Sequence, residues 1–432
     1  MKILILTYYF PPAGGSGVQR WLKFVKYLPS FNIEPVVYTV KKPNYPIIDK
    51  SLESEIPKGI EILRQPIFEP NNILSFFGKK NKQSAGFLNP NPSKIGKILQ
   101  YIRANYFIPD ARKYWIKPSI KYLEKYLENN AIDAIITTGP PHSVHLIGLA
   151  LKQKTNIKWI ADFRDPWTDI DYFHQLPLTK KSIKKHHELE QKVLKNANHI
   201  IVVGDTMKKN YLKFNKNTHT ITNGYDDFKN IENTTLDKKF SLLHIGMLNS
   251  DRNHKILWEA LSELKQEDKQ FSDDLEIKLI GKIRNEALED IIKYKLSSNF
   301  TPISYVSHEK VISYQKSAQV LLLLVNNVPS AKGILTGKIF EYLQAKRPIL
   351  AIAPKDGDIL PILENTKAGF VIDFDEKDKL KKTIFALYQD YKKGVLKVKS
   401  VNLKQYHRKE LTKQLIMNCE LEMLNFNKQN YK

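Results

Sequence analysis

The chain has 432 residues, 42% of them hydrophobic and 26% charged. Two or three globular domains with large cores are expected, and a disordered or fibrous chain is excluded. Its formal net charge of +23 calls for anionic company, whether nucleic acid, an anionic membrane surface or phosphorylated substrates.

The basic residues are mostly lysines dispersed among acidic neighbours, without a nucleic-acid motif, so no nucleic-acid partner is expected. The one cysteine, Cys419, excludes an intramolecular disulfide and fits a reducing compartment. Lys2 to Tyr8 reads as a buried-type strand. Its apolar run is too short for a signal peptide, and no stretch reaches the roughly 20 apolar residues of a spanning helix, so a cytoplasmic location is expected. The strand runs into a glycine-rich turn, Gly14 to Gly17, where Rossmann-like domains let a ligand approach the backbone, although the G-x-G-x-x-G fingerprint is missing. A helix is predicted over Val18–Leu28, with Trp21, Leu22, Val25 and Leu28 on one face, and a second strand over Pro35–Val40. Gln19 and Arg20 read either as cleft contacts or as solvated helix positions.

Residues 41 to 118 are less regular, with turn-rich stretches around Asn71, Gly78 and Asn89. Phe68–Phe77 and Ile95–Phe107 mix aromatics with lysines. They read as a segment that touches a bilayer or an acceptor, or as a loop between two short helices; no strong amphipathic face is evident. Ile132–Thr138 is the next strand, followed by a Gly-Pro-Pro-His-Ser turn and a helix from Val144 to Lys152. His142 and Ser143 stand at the carboxyl end of a strand, where open α/β sheets bind ligands: His142 as a contact to phosphate or sugar, Ser143 more simply as a cap. Lys158–Trp167 is a strand ending in Asp162, Arg164 and Asp165 before Pro166. Two carboxylates flanking a guanidinium suit either a base for an acceptor hydroxyl or a structural pair that fixes the loop. A charged helix over 179–197, with Leu189 and Val193 facing inward, leads to Ala197–Gly204, read as the last strand of the first half.

The second half repeats the strand–helix rhythm. Phe240–Leu248 is a strand, followed by a polar turn with Arg252 and a helix over Ile256–Leu264. Further strands are predicted at 276–280, 303–306, 320–325, 349–353 and 369–372, and the chain is read as helical from Asp375, with 403–425 a long terminal segment. Thr336 and Gly337 open the predicted helix Lys338–Ala345, whose free N–H groups and dipole favour an anion such as phosphate. Lys338 adds positive charge, and Glu341, one turn on, suits sugar hydroxyls. Together they describe a nucleotide-sugar pocket; the same residues also read as a cap, a turn and solvated charges. No Asp-x-Asp motif in a plausible site and no His/Cys cluster suggests a metal.

Residues 337–350, Gly-Lys-Ile-Phe-Glu-Tyr-Leu-Gln-Ala-Lys-Arg-Pro-Ile-Leu, resemble the donor-binding helix of GT-B glycosyltransferases of the family-four type. The opening loop, the Asp-Phe-Arg-Asp-Pro-Trp segment at 162–167 and the Asn-Gly-Tyr-Asp hinge at 223–226 resemble the same family, in the right order over nearly the whole chain. The family usually has two glutamates flanking seven residues. Glu341 falls on the second, while Gly333 stands on the first, as in a subset of the family. Lys346 and Arg347 stand where Gly and Lys are common, Thr222 where Pro is usual and Met247 where Arg is common. The resemblance implies an α/β, GT-B fold: two Rossmann-like doubly wound domains facing across a cleft, at 1–222 and 223–402, with helices of 403–432 crossing back. It implies a retaining, metal-independent hexosyltransferase without cofactor, using a nucleoside diphosphate sugar such as a UDP- or GDP-sugar. Gly15, Gly17, Arg252, Thr336, Gly337, Lys338 and Glu341 would bind the donor. His142 and Arg164 would face the acceptor, and Asp165, Asp162 and Glu341 would be catalytic. The acceptor would be a lipid-linked or growing glycan in cell-surface polysaccharide synthesis (lipopolysaccharide or capsule), with peripheral contact to an anionic membrane. Two rivals stand beside this: a non-catalytic nucleotide-sugar-binding or scaffold protein of a polysaccharide assembly complex, kept alive by Gly333, and a nucleoside diphosphate sugar 2-epimerase of similar fold.

Overall fold

Strands of an all-parallel sheet are covered on both faces and so are written as unbroken apolar runs rather than as alternating ones. Lys2–Leu6 (β1), Ala134–Gly139 (β4) and Val320–Leu324 (β11) are of this kind, each with at most one residue not fully buried. The computed structural model describes residues 1–69, 93–227, 234–304, 306 and 308–421. The turn-rich stretch around Asn71, Gly78 and Asn89, residues 70–77 of the first aromatic stretch and the end of the terminal segment lie outside the described residues. The chain divides into two compact units, Met1–Thr222 with Arg408–Lys432, and Asn223–His407.

In the first unit, β1 pairs with Glu34–Lys41 (β2) and with β4. The seven parallel strands run in the order β3-β2-β1-β4-β5-β6-β7. The others are Glu61–Pro66 (β3), Lys158–Phe163 (β5), His199–Val202 (β6) and Thr218–Thr220 (β7). The order reverses between β1 and β4, so the loops leaving those strands diverge and leave a crevice at their carboxyl ends. The loop after β1 carries Gly14–Gly17, and the loop after β4 carries His142. The helix Ser16–Tyr27 buries Trp21, Leu22 and Val25 against the sheet. The helix Arg408–Asn418 packs on it, with Arg408 Nη1 donating to Gln19 O at 2.8 Å, and Cys419 behind it is fully buried.

The second unit has six parallel strands in the order β10-β9-β8-β11-β12-β13. They are Phe240–Ile245 (β8), Leu275–Ile280 (β9), Phe300–Ile303 (β10), β11, Ile349–Ile352 (β12) and the edge strand Gly369–Ile372 (β13). Side chains alternate between faces along a strand. Leu322 and Leu324 accordingly join the core under the helix Lys255–Glu267, while Leu321, Leu323 and Val325 join the one under Lys338–Ala345. Here the switch point lies between β8 and β11.

Several local expectations are corrected. β3 lies within the stretch expected to be irregular, because Glu-Ile-Leu-Arg-Gln-Pro is a half-exposed edge strand with little apolar signal. β7 follows the strand read as last. Residues 393–402 are not helical; the helix Lys377–Lys392 ends well before Arg408–Asn418 begins. Among the described residues no helix is long and apolar enough to cross a membrane.

Candidate functional site

The first unit gathers charge where β1 and β5 end. Asp162 is 0% exposed, and its carboxylate is fully engaged. Oδ1 accepts from Arg20 Nε at 3.1 Å and Nη2 at 2.8 Å, and Oδ2 accepts from Trp21 Nε1 at 2.7 Å and Thr138 Oγ1 at 2.9 Å. Arg20 also donates to the carbonyls of Ile221 and Thr222, both at 2.9 Å. At both positions the sequence left two alternatives: Arg20 is not the solvated helix position but is buried at 4% exposure, and the buried Asp162 has the geometry of the structural pair that fixes the loop.

Asp165 differs. Its side chain is 45% exposed, and its ion pair is with the neighbouring Arg164 at 3.1 Å. Arg164 Nη1 donates to Gly17 O at 2.9 Å. A Cβ at position 17 would lie 2.7 Å from that nitrogen, so glycine is what lets the guanidinium close over the loop. Gly15, at φ +85°, occupies the left-handed region that favours glycine. Gly15, Gly17, Arg164 and Asp165 are thus brought together. His142 is buried and stacked flat on Trp167, ring centroids 4.8 Å apart. Burial, with His145 and Arg164 nearby, holds its pKa well below the usual histidine range, so its imidazole is neutral. Its Nδ1 has no hydrogen-bond partner among the described residues. Ser143 is not the cap: His142 holds that position, and Ser143 is tied to Asp110 through its N–H and its hydroxyl.

In the second unit, the loops leaving β8 and β11 are stitched together: Asn327 N–H donates to Asp251 O at 2.8 Å, and the His254 Nε2–Val325 O contact is 2.8 Å. The Asn249 side chain accepts from Arg252 N–H and shapes the turn, and Arg252 Nη1 donates to Met247 O at 3.2 Å. Gly246 takes φ +119°, and a Cβ there would overlap the Lys338 ammonium. Lys338 thus lies against bare backbone. Burial, then the Arg252 guanidinium, pushes its pKa down to about 7 against the pull of Glu341. Glu341 accepts from Gln315 Nε2 at 3.2 Å. Gly337 caps the helix Lys338–Ala345, and a Cβ on it would meet only open space. Thr336 Oγ1 is buried with no hydrogen-bond partner among the described residues. Two cations, the leading N–H groups of a helix and a carboxylate one turn later share this crevice, which suits a polyanion carrying hydroxyls.

Sequence reasoning missed Trp21 and Thr138 as site residues, and the partner that they share with Arg20, Asp162, lies far along the chain. It also missed Gly246 and Gln315; the glycine directly after a strand was the available signal for Gly246. Lys346 and Arg347, noted as departures, divide: Arg347 is buried and caps the carbonyls of Ala318 and Gln319. Among the described residues no group of three or more His, Cys, Asp or Glu side chains could hold a metal ion.

Residues 85–227 match the family model described as Glycosyltransferase Family 4, and residues 239–390 match that described as Glycosyl transferases group 1. No curated protein sequence matches the chain. Solved structures resemble it over nearly the whole length. HepE from Anabaena in complex with UDP-glucose has a TM-score of 0.56 at 13% identity, covering 98% of this chain and 100% of that one. WaaG, a glycosyltransferase involved in lipopolysaccharide biosynthesis, scores 0.52 at 13% identity, covering 98% and 96%. The UDP-GlcNAc 2-epimerase of Methanocaldococcus jannaschii scores 0.52 at 12% identity, covering 98% and 100%. At such identities the likeness is one of fold.

Proposed function

The chain belongs to the GT-B glycosyltransferases of the family-four type, and from that premise we propose that it is a retaining, metal-independent hexosyltransferase. It moves a sugar from a nucleoside diphosphate sugar to a hydroxyl of a lipid-linked or growing glycan in cell-surface polysaccharide synthesis, at the inner face of the plasma membrane. The observation that carries the reading is Lys338, held against Gly246 beside Arg252 at a helix N-terminus. The largest charge to develop as the glycosidic bond to phosphate breaks is on the departing diphosphate. A lysine of depressed pKa, a guanidinium and free N–H groups are suited to take it up, and the bound anion draws a proton onto Lys338. Glu341 accepts hydrogen bonds from the donor sugar's hydroxyls, and Thr336 and Gly337 let the donor approach the backbone. On the acceptor side, Asp165 takes or orients the hydroxyl proton, with Arg164 holding the carboxylate and neutral His142 close by.

A thermal-shift panel of UDP, GDP, CDP, ADP and their sugars tests this. One nucleoside diphosphate is expected to stabilise the protein, and Lys338→Ala and Glu341→Ala are expected to abolish the effect. No shift with any of them sinks the donor pocket. The epimerase alternative draws on the likeness to the archaeal enzyme. Conversion of a nucleotide sugar to its C2 epimer without acceptor would favour it, and donor binding without any turnover would favour the scaffold.

A further inference from the structure

Two buried imidazoles of the first unit meet where β4 ends. Gly139 closes that strand, and the turn after it leads into the helix Ser143–Thr155, with His142 at its cap and His145 three residues on. His142 Nδ1 and His145 Nε2 are both buried, and neither has a hydrogen-bond partner among the described residues. They converge on one spot: a Cβ added to Gly139 would lie 2.9 Å from the first and 2.6 Å from the second. Glycine at 139 is thus what lets the two rings close in. Stacking fixes how they stand. His142 lies flat on Trp167, and His145 stacks on Phe163 with ring centroids 4.4 Å apart.

The positions of the protons follow from the partners behind. Trp159 Nε1–H can only donate, and it donates to Thr137 Oγ1 at 2.9 Å. Thr137 Oγ1 lies 2.9 Å from His145 Nδ1, and among the described residues its own proton has no other taker. His145 Nδ1 is therefore the acceptor. The ring is neutral, because burial pushes its pKa down to about 3 against the pull of Asp162, so its one proton is on Nε2. That N–H is aimed at the spot which His142 Nδ1 shares. A second N–H there would set two donors against each other in a dry interior, at a cost to both. Turning the His142 ring over would bring a C–H to the spot and leave the His145 donor with nothing. We propose that His145 is a positioning residue: it holds His142 Nδ1 as a lone pair, keeps that ring's proton on Nε2, and so makes His142 a hydrogen-bond donor to a substrate oxygen, not a base. Burial, His145, Arg164 and His186 all oppose a positive charge on the His142 ring, and the Pro166 carbonyl alone favours one. The role rests on the acceptor-side reading of His142 given under Proposed function, and it leaves the acceptor's proton to Asp165.

Nitrogen-15 spectra of the full chain labelled in histidine read the tautomers at neutral pH without any substrate. Both rings are expected with the proton on Nε2 alone, and His142→Gln and His145→Met assign the signals. In His145→Met an Nδ1–H form of His142 should appear. Thr137→Val should bring the same form by freeing the His145 proton to move, so the reasoning is tested even if the buried methionine does not fold. His145→Met should also lower kcat roughly fivefold, the worth of one hydrogen bond, with KM for the nucleotide sugar unchanged. His142→Leu should lower kcat about a hundredfold, and His142→Gln, whose amide N–H stands near the Nε2 position, should recover about tenfold of that. An Nδ1–H form of His142 in the wild type overturns the proposal. So does a His145→Met spectrum in which His142 is unchanged, or a His142→Gln no better than His142→Leu. The expected tautomers in a protein that transfers no sugar would fail the glycosyltransferase reading and leave the pairing of the two rings standing.

Discussion

Replacing Asp162 with alanine distinguishes a carboxylate that holds the fold from one that does chemistry. The side chain is fully buried and accepts from three residues; its main partner Arg20 is 2% exposed at the side chain. Removing the carboxylate leaves that guanidinium in the interior with only the two carbonyls of Ile221 and Thr222, and orphans the Trp21 and Thr138 donors as well. Breaking one side of a buried ion pair costs about 3–5 kcal/mol. That is a large part of the roughly 5–15 kcal/mol that holds a domain folded. For a unit of this size about 1 kcal/mol moves the midpoint by roughly 2–4 °C, so the first unit's transition should fall by roughly 6–20 °C. Differential scanning calorimetry reads this directly, and the transition of the second unit should stay in place. Asp162→Asn should recover part of the loss, because the amide oxygen still accepts. A variant that melts like wild type but no longer transfers sugar would refute the reasoning and return Asp162 to the catalytic group.

Asp165→Asn should behave in the opposite way: a half-exposed pair costs about 1 kcal/mol or less, so melting should barely change while turnover falls at unchanged nucleotide affinity. Lys338→Met should lose the nucleoside diphosphate shift yet melt higher than wild type. With its folded pKa near 7, below the ordinary 10.5, Lys338 binds fewer protons folded than unfolded between those values. Wild-type stability therefore rises with pH across that window, and the advantage of the Met variant, read by urea titration, should be largest below pH 7 and fade towards pH 10.5. Gly246→Ala should abolish nucleotide binding, since its Cβ displaces the ammonium, and Gly337→Ala, which meets open space, should leave melting unchanged and weaken binding alone. A calorimetric titration with the cognate nucleotide checks both.

Much of the fold was legible because the strands at the switch points are continuous apolar runs and glycine or proline marks the loops that leave them. Elements with mixed composition were not: β3 is half exposed and polar, β7 has only three residues, and the helix Lys113–Asn129 carries Pro118 within it. The candidate site was legible where spacing is local, as in Thr336 to Glu341. It failed where the deciding partner is remote. Nothing near Arg20 in the chain announces Asp162, and nothing in Lys338 announces its desolvation, because both depend on which loops the sheet order brings together. The exposed apolar stripe of the helix Lys94–Tyr106 went unread as well, because composition and spacing do not say which residues packing leaves in water.

Cys419, buried behind the terminal helix, gives the chain a built-in clock. Burial raises its thiol pKa, so in the closed protein it is both protonated and out of reach. An alkylating reagent can find it only during moments when Arg408–Asn418 lifts off Ser16–Tyr27. The modification rate of the unaltered protein, compared with that of an unfolded chain, therefore measures how often this last helix detaches, without any label being introduced.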